Sequence, residues 1–454
     1  MNAQTPAATD VAAIVLAAGM GTRMRSTRPK VAHVLAGRPL LGHVLDTLDM
    51  LGAPPEATVV VAGPHMPEVE RLAAPRPTVL QAERLGTAHA ALQARPALPT
   101  PPATVLILFG DSPLVRVETL RAMVARRGEG ADVVVLGFQA ADPTGYGRLV
   151  TDGRGALEAI VEHKDATEDQ RAITLCNAGV MAVDGARLFG LLERIGNANA
   201  KGEHYLTDIV ALARADGLVC AVVEGDEAEM LGINDRAQLA TAERVVQGRL
   251  RRAAMEGGAT LTDPDTVFLS MDTRLGRDVT VGPFCVFGPG VTIGDGVEIK
   301  GFCHFEGCTV EAGATLGPYA RLRPGATIAQ GAHIGNFVEI KKATVEPGAK
   351  VNHLTYIGDA RVGAAANVGA GTITCNYDGF AKHHTDIGAG AFIGSNTALV
   401  APVRVGDGAI VGAGSTITHD VPADALAVTR AALTQRDGWA AKFRAHMKRL
   451  TGKG

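Results

Sequence analysis

The chain has 454 residues, of which 46% are hydrophobic and 20% charged, with a formal net charge of −3 at pH 7. That length exceeds one ordinary core and predicts two or more domains. The balanced charge gives no basis for nucleic-acid or anionic-membrane binding, and no apolar run reaches the ~18 residues of a membrane span.

The opening stretch MNAQTPAATD is polar and lacks the charged-then-apolar order of a signal peptide, so it reads as a frayed tail. Short apolar runs then alternate with longer mixed segments up to about residue 230. The runs AAIVLAAG, TVVVAG, TVLILFGD and ADVVVLGF read as buried strands, and Leu40, Val44, Leu45 and Leu48 fall at helical spacing. This alternation predicts a mostly parallel sheet covered on both faces.

The first run ends in the glycine turn of AAGMGTRMRSTRPK, which reaches Arg23, Arg25, Arg28 and Lys30. A glycine turn beside cations suits phosphate. It lacks the third glycine of a dinucleotide fingerprint and the GK[ST] of a triphosphate loop. Arg25 and Arg28 read as solvated surface charge. In FGDSP, Asp111 directly follows a strand, at the edge where parallel sheets bind ligands; a turn or helix cap before Pro113 is the alternative. From Asn234 to about Met255, Leu239, Val246 and Leu250 mark one apolar face of a linking helix.

From about residue 257 the helical signal vanishes and apolar residues recur every sixth position. Val281, Phe287, Ile293, Ile299 and Phe305 begin the frame. Val310, Leu316, Leu322, Ile328, Ile334 and Ile340 continue it after a shorter step, followed by Val345, Val351, Ile357, Val362 and Val368. It resumes at Ile387, Ile393, Leu399, Val405, Val411 and Ile417. Such hexapeptide repeats build a parallel β-helix, with apolar side chains stacked inside and glycine or small residues at the sharp turns. The stretch TITCNYDGFAKHHTD, residues 372 to 386, has no in-frame apolar residue and is expected to leave the coil as a loop. RDGWAAKFRAHMKRL reads as a short terminal helix that caps or covers an end. The six cysteines show no CxxC pairing and read as free buried thiols of a reducing cytoplasm.

Polar residues within the repeat separate a passive trimerisation stalk from an acyltransferase. A stalk needs none of Arg323, Lys341, His353, Tyr356, Asn367, Asn376, Tyr377 and Lys382. Alone, each is more often a solvated outward residue.

The ordered motifs LAAGMGTRMRSTRPK, ERLGTAHA, FGDSPL, YGRLV, IVEHKDAT, CNAGV and LGIND resemble those of sugar-nucleotide pyrophosphorylases. With the hexapeptide half, the chain is similar over nearly its whole length to the bifunctional bacterial N-acetylglucosamine-1-phosphate uridylyltransferase/glucosamine-1-phosphate acetyltransferase family. The resemblance implies an α/β Rossmann-like nucleotidyltransferase domain, 1–233, a linker helix, 234–256, and a left-handed parallel β-helix acetyltransferase domain with a C-terminal helix, 257–454.

In the first domain the resemblance implies that Leu16, Ala17, Ala18 and Gly19 hold the UTP nucleoside, completed by Gln81, Gly86 and Thr87. Arg23 and Lys30 match the cationic pair over the triphosphate, and Asp111 and Asn234 the Mg²⁺ ligands. Gly147, Glu162 and Asn177 match the grip on N-acetylglucosamine 1-phosphate. Phe109 and Ala88 stand where the family usually has Tyr and Gly.

In the second domain Arg323, Lys341, Tyr356, Asn367 and Lys382 match contacts to glucosamine 1-phosphate. His353 matches the general base, for which a nearby carboxylate would orient the other ring nitrogen. Ala370, Asn376, Tyr377, Ser395, Ala413 and Arg430 match the acetyl-CoA site. The resemblance further implies a cytoplasmic homotrimer acting on small molecules, without nucleic acid or membrane insertion. A pyrophosphorylase whose β-helix is only a trimerisation or regulatory scaffold stands as the alternative, as does an enzyme for another sugar nucleotide.

Overall fold

The computed structural model describes residues 10–152, 155–199 and 202–452. The tail expected at residues 1–10 lies outside the described residues except for Asp10. The chain divides into two compact units, Met1–Leu250 and Arg251–Gly454.

In the first unit, β1 (Val11–Leu16) leads through a glycine turn to α1 (Leu40–Leu51), then β2 (Thr58–Ala62), β3 (Thr78–Leu80) and β4 (Thr104–Phe109). There follow β5 (Val133–Gln139), β6 (Arg148–Thr151), β7 (Leu157–Val161), β8 (Leu175–Asp184) and β9 (Cys220–Glu224). The main sheet runs β9-β5-β8-β4-β1-β2-β3, with β6 on β8 and β7 on β6. It is more mixed than the sequence suggests. The block β4-β1-β2-β3 is parallel, but β8 runs antiparallel to both β4 and β5. An apolar run does not encode direction, so the inserted antiparallel strand leaves no local signal.

Both faces are covered. Alternate residues of β1 separate into two cores, Val11, Ala13 and Val15 on one side and Ala12, Ile14 and Leu16 on the other. Leu41, Val44, Leu45 and Leu48 of α1 join the first of these. The linking helix α2 (Arg236–Glu256) begins two residues after the expected start. It is no free spacer: Ala242 and Val246 pack with Leu35, Leu40, Leu114 and Ile233 of the first unit.

The second unit is a parallel β-helix whose short strands stack coil on coil. Val281 lies beside Ile299, then Leu316, Ile334, Val351, Val368, Ile393 and Val411. These residues are essentially solvent-free and form one of three internal columns. Thr374 corrects the expected loop. It is 1% exposed, and Ile373–Cys375 still pairs with the coils on either side. Its hydroxyl accepts from Gly358 N–H at 2.8 Å and sits 3.2 Å from Gly358 O. A satisfied hydroxyl thereby replaces the apolar residue, and the coil continues to Cys375.

The turns also depart from expectation at one corner. Phe284, Phe302, Tyr319 and Phe337 adopt left-handed backbone at φ 58°, 63°, 59° and 56°, where small residues were expected. Their rings form an exposed ladder with centroids 4.9–5.0 Å apart. Stacking offsets the roughly 1–2 kcal/mol that a left-handed non-glycine residue costs. The terminal helix α3 (Trp439–Thr451) forms as expected, but it buries no residue and covers no end of this chain. All six cysteines are free and five are buried; burial pushes the Cys220 thiol up to about 11 and the Cys308 thiol to about 12.

Restoring the apolar frame by Thr374→Val is expected to destabilise the second unit by about 1–3 kcal/mol, because Gly358 N–H loses its partner. Denaturant unfolding followed by circular dichroism checks this. A stability gain would show that the hydroxyl is dispensable.

Candidate active sites

The first site lies at the C-terminal edge of the parallel block. Gly21 turns with φ +62°, and a Cβ there would fall 2.5 Å from Lys30 Cβ, so the turn closes onto Lys30 only with glycine. A cavity of about 320 Å³ is lined by Leu16, Ala17, Ala18, Gly19, Lys30, Gln81, Gly86, Thr87 and Asp111, which unites the expected nucleotide residues. Gly86, at φ +120°, would place a Cβ 2.4 Å from His204 O. That close approach seats the Gly86 loop against residues 204–206, where Thr87 Oγ1 accepts from Leu206 N–H. Gln81 is buried and donates to Gly86 O at 3.1 Å.

The Lys30 ammonium pairs with Asp111 and donates to Asn234 Oδ1 at 3.1 Å. The two expected metal ligands therefore face one point, already filled by a cation. Both are hard oxygen donors of the kind Mg²⁺ takes. No group of three or more His, Cys, Asp or Glu is gathered as a metal cluster among the described residues.

Adjoining cavities of about 380 and 560 Å³ extend from Phe109 and hold Glu162 and Asn177; the larger also holds Arg23, Gly147 and Asn234. A Cβ on Gly147 would lie 3.6 Å from Asn177 Cβ and 3.7 Å from Glu162 Oε1, which places the three side by side. Phe109 lines all three cavities, and its ring fills the space a Cβ on Gly179 would need. Ala88 is buried in the core, turned away from the cavity.

Sequence reading missed Arg84 and Glu203, which line the same 320 Å³ cavity as the expected nucleotide residues. Arg84 Nε donates to Ala18 O at 2.9 Å, bracing the turn. Both lie in polar stretches without periodicity, so only the long-range closure of the sheet reveals them. Arg28 pairs with Glu68 at 3.4 Å on the surface, as a solvated charge should.

The second site follows from the β-helix register. Asn336 and His353 are neighbours on adjacent coils, and Asn336 Oδ1 lies 2.6 Å from His353 Nδ1. The orienting group is thus an amide, not the expected carboxylate. An amide oxygen only accepts, so this contact favours the proton on Nδ1 and, in the neutral ring, leaves Nε2 as the acceptor.

Below His353 the same corner carries the expected acetyl-CoA residues in a column. Gly371 N–H donates to His353 O, Asn396 N–H to Ala370 O and Gly414 N–H to Ser395 O. Ala413 lies between Gly412 and Gly414, with the Arg430 side chain packed against that turn.

Around the next face Arg323, Lys341 and Lys382 gather. Arg323 Nη1 pairs with Glu339, a residue the sequence reading missed, at 2.8 Å. The neighbouring Lys382 ammonium first, then desolvation and Arg323, hold the Lys341 pKa below the ordinary lysine value. Such crowded cations make an anion site. Tyr356 follows Glu339 in register, and its phenol crosses over Gly358, the coil neighbour of Lys341.

Asn376 is buried and donates to Asp359 at the base of the loop, while Tyr377 is 60% exposed. The structure does not bring Asn367 to this group within one chain. Asn367 stacks between Lys350 and Phe392, on the face before the His353 corner, whereas Tyr356 stacks between Glu339 and Ile373 on the face after it.

The chain matches the family model for the MobA-like NTP transferase domain over residues 13–178 and that for the bacterial transferase hexapeptide over residues 272–307 and 384–419. A bifunctional protein GlmU from Rhodospirillum rubrum is 69% identical over 98% of this chain and 100% of its own length. Those from Paramagnetospirillum magneticum and Azorhizobium caulinodans are 65% and 59% identical, over 97% and 95% of this chain and 98% and 97% of their own lengths.

Substituting Lys382→Met removes the main cause of the Lys341 shift, so the Lys341 titration midpoint is expected to move up toward the ordinary lysine value. Carbon-13 NMR of the lysine ε-methylenes checks this, and an unmoved midpoint would show that the two ammonium groups do not interact.

Proposed function

The chain belongs to the bifunctional GlmU family, and we propose that its two sites carry out successive steps of UDP-N-acetylglucosamine synthesis. The β-helix transfers acetyl from acetyl-CoA to glucosamine 1-phosphate, and the first unit joins the product to UMP from UTP. The observation that carries this reading is the pairing of Asn336 with His353 at the head of the Ala370, Ser395 and Ala413 column. A scaffold has no use for an oriented imidazole beside an anion-binding cation cluster.

In the first site Leu16 to Gly19, with Gln81, Gly86 and Thr87, hold the nucleoside. Arg23 and Lys30 lie on the triphosphate, and Gly147, Glu162 and Asn177 grip the sugar. A phosphate oxygen of N-acetylglucosamine 1-phosphate attacks the α-phosphorus of UTP; the new P–O bond forms as the bond to pyrophosphate breaks. The nucleophile is already anionic, so positioning and charge neutralisation replace a strong base. Asp111 and Asn234 are the residues that would hold Mg²⁺, which supplies further neutralisation of the phosphates when bound.

In the second site Arg323, Lys341, Tyr356 and Lys382 hold the phosphate and hydroxyls of glucosamine 1-phosphate. His353 Nε2 takes a proton from the substrate nitrogen, which bonds to the thioester carbonyl carbon as the CoA thiolate leaves. Ser395 would donate to the oxyanion, with Ala370, Asn376, Tyr377, Ala413 and Arg430 along the cofactor. Asn367 completes the sugar site from a neighbouring copy in a homotrimer, which its place on a separate face supports. Free buried thiols fit a cytoplasmic location, and among the described residues no helix is long and apolar enough to cross a membrane.

Thiol release from acetyl-CoA with glucosamine 1-phosphate, and pyrophosphate release from UTP with N-acetylglucosamine 1-phosphate, are both expected. His353→Ala should lower acetyl transfer by about 10²–10⁴-fold while leaving pyrophosphate release intact. Intact uridylyl transfer without any CoA release from the parent protein would reduce the β-helix to a scaffold. In a separate test, Asp111→Asn is expected to remove most pyrophosphate release and leave acetyl transfer unchanged.

A further inference from the structure

Arg148 is 1% exposed and is the largest fully buried side chain among the described residues. It does not line the three cavities of the first site. We propose that Arg148 is a positioning residue for the sugar-phosphate grip, an inference that rests on the sugar-binding reading of Gly147, Glu162 and Asn177.

Strand register supplies the first argument. Arg148 is paired with Val161 on β7 and with Cys176 on β8. The next rung therefore holds Gly147, Glu162 and Asn177, and Asn177 N–H donates to Gly147 O at 2.8 Å. Because side chains alternate across a sheet, Glu162 and Asn177 face the cavity while Arg148 lies directly behind them.

The guanidinium's partners supply the second. Nη1 donates to Tyr146 O, Nη2 donates to Arg171 O at 3.2 Å, and Nη2 lies 3.4 Å from His163 Nδ1. Tyr146 precedes Gly147, His163 follows Glu162, and Arg171 lies at the far end of the segment after β7. One planar fork thus ties the Tyr146 carbonyl beside Gly147 to the His163 ring beside Glu162 and to the Arg171 carbonyl.

Nε is buried without a partner among the described residues. The guanidinium's hydrogen-bond partners are carbonyls and an imidazole, and a carboxylate that feels its charge, Asp142, is fully exposed. Little of its desolvation is therefore repaid, and it is a poor device for stability. Holding Glu162 against Gly147 and Asn177 accounts for retaining it. A lysine has one ammonium in place of the fork and cannot span the same acceptors.

The test uses the full-length protein with Arg148→Met and Arg148→Lys. Pyrophosphate release is measured with UTP and N-acetylglucosamine 1-phosphate varied separately, and thermal unfolding and acetyl transfer are followed in parallel. Both variants should fold and keep full acetyl transfer. The KM for sugar phosphate should rise while the KM for UTP stays near that of the parent, and kcat/KM for the sugar should fall on the order of 10²-fold. Preference for N-acetylglucosamine 1-phosphate over glucose 1-phosphate should shrink in parallel.

An unchanged KM for the sugar in either variant overturns the proposal. So does an equal rise in both KM values with a lowered Tm, the pattern of a merely structural residue. If Arg148→Met does not fold, Arg148→Lys decides between these outcomes. A parent protein that releases no pyrophosphate with the sugar phosphate overturns the functional reading itself, and this proposal with it.

Discussion

Strand register is the constraint on which both sites depend. A slip of one residue turns every side chain of a strand to the opposite face. In the first unit that slip would send Glu162 and Asn177 into the core and Arg148 into the cavity. In the second it would part Asn336 from His353 and empty the column below them. The internal columns of Val, Ile and Leu make such a slip costly, because each shift exposes apolar side chains along the whole coil. Apolar packing therefore fixes the polar geometry without touching it.

The two sites handle charge differently. In the nucleotide cleft the Lys30 ammonium sits between Asp111 and Asn234, so cation and acceptors are already matched. On the proposed reading, nucleotide binding would exchange one set of partners for another there. The β-helix site holds Arg323, Lys341 and Lys382 together, with Glu339 on Arg323 and Asp359 near Lys341 as counter-charges, and the lowered Lys341 records the repulsion that outweighs them. The phosphate dianion proposed to bind here would relieve that repulsion, turning the crowding into affinity.

The hexad was fully legible, because a period of six survives without knowledge of any contact. Every expected inward residue from Val281 to Ile417 is buried. The glycine turn, and the gathering of Leu16 to Gly19 with Gln81, Gly86 and Thr87 around one cavity, were legible through ordered motifs. What escaped depends on pairing between distant segments. The direction of β8, the brace from Arg84 to Ala18 O and the amide partner of His353 follow from sheet closure or coil stacking, and no local pattern encodes them. Thr374 escaped for a different reason: a hydroxyl that returns its hydrogen bonds to the backbone behaves as a core residue, yet it reads as polar.

The ring ladder shows where the two levels meet. Phe284, Phe302, Tyr319 and Phe337 stack along one corner, and the left-handed positions that follow are Leu354, Gly371, Asn396 and Gly414. The rings stop at the coil that carries His353. Below it, Gly371, Asn396 and Gly414 stand beside Ala370, Ser395 and Ala413. Continued aromatic residues there would stack as favourably as those above, and would cover the corner proposed to take the extended thioester. Small side chains at the last positions forgo that stacking and leave the backbone open to a ligand, so local stability gives way to access at the point where chemistry needs it.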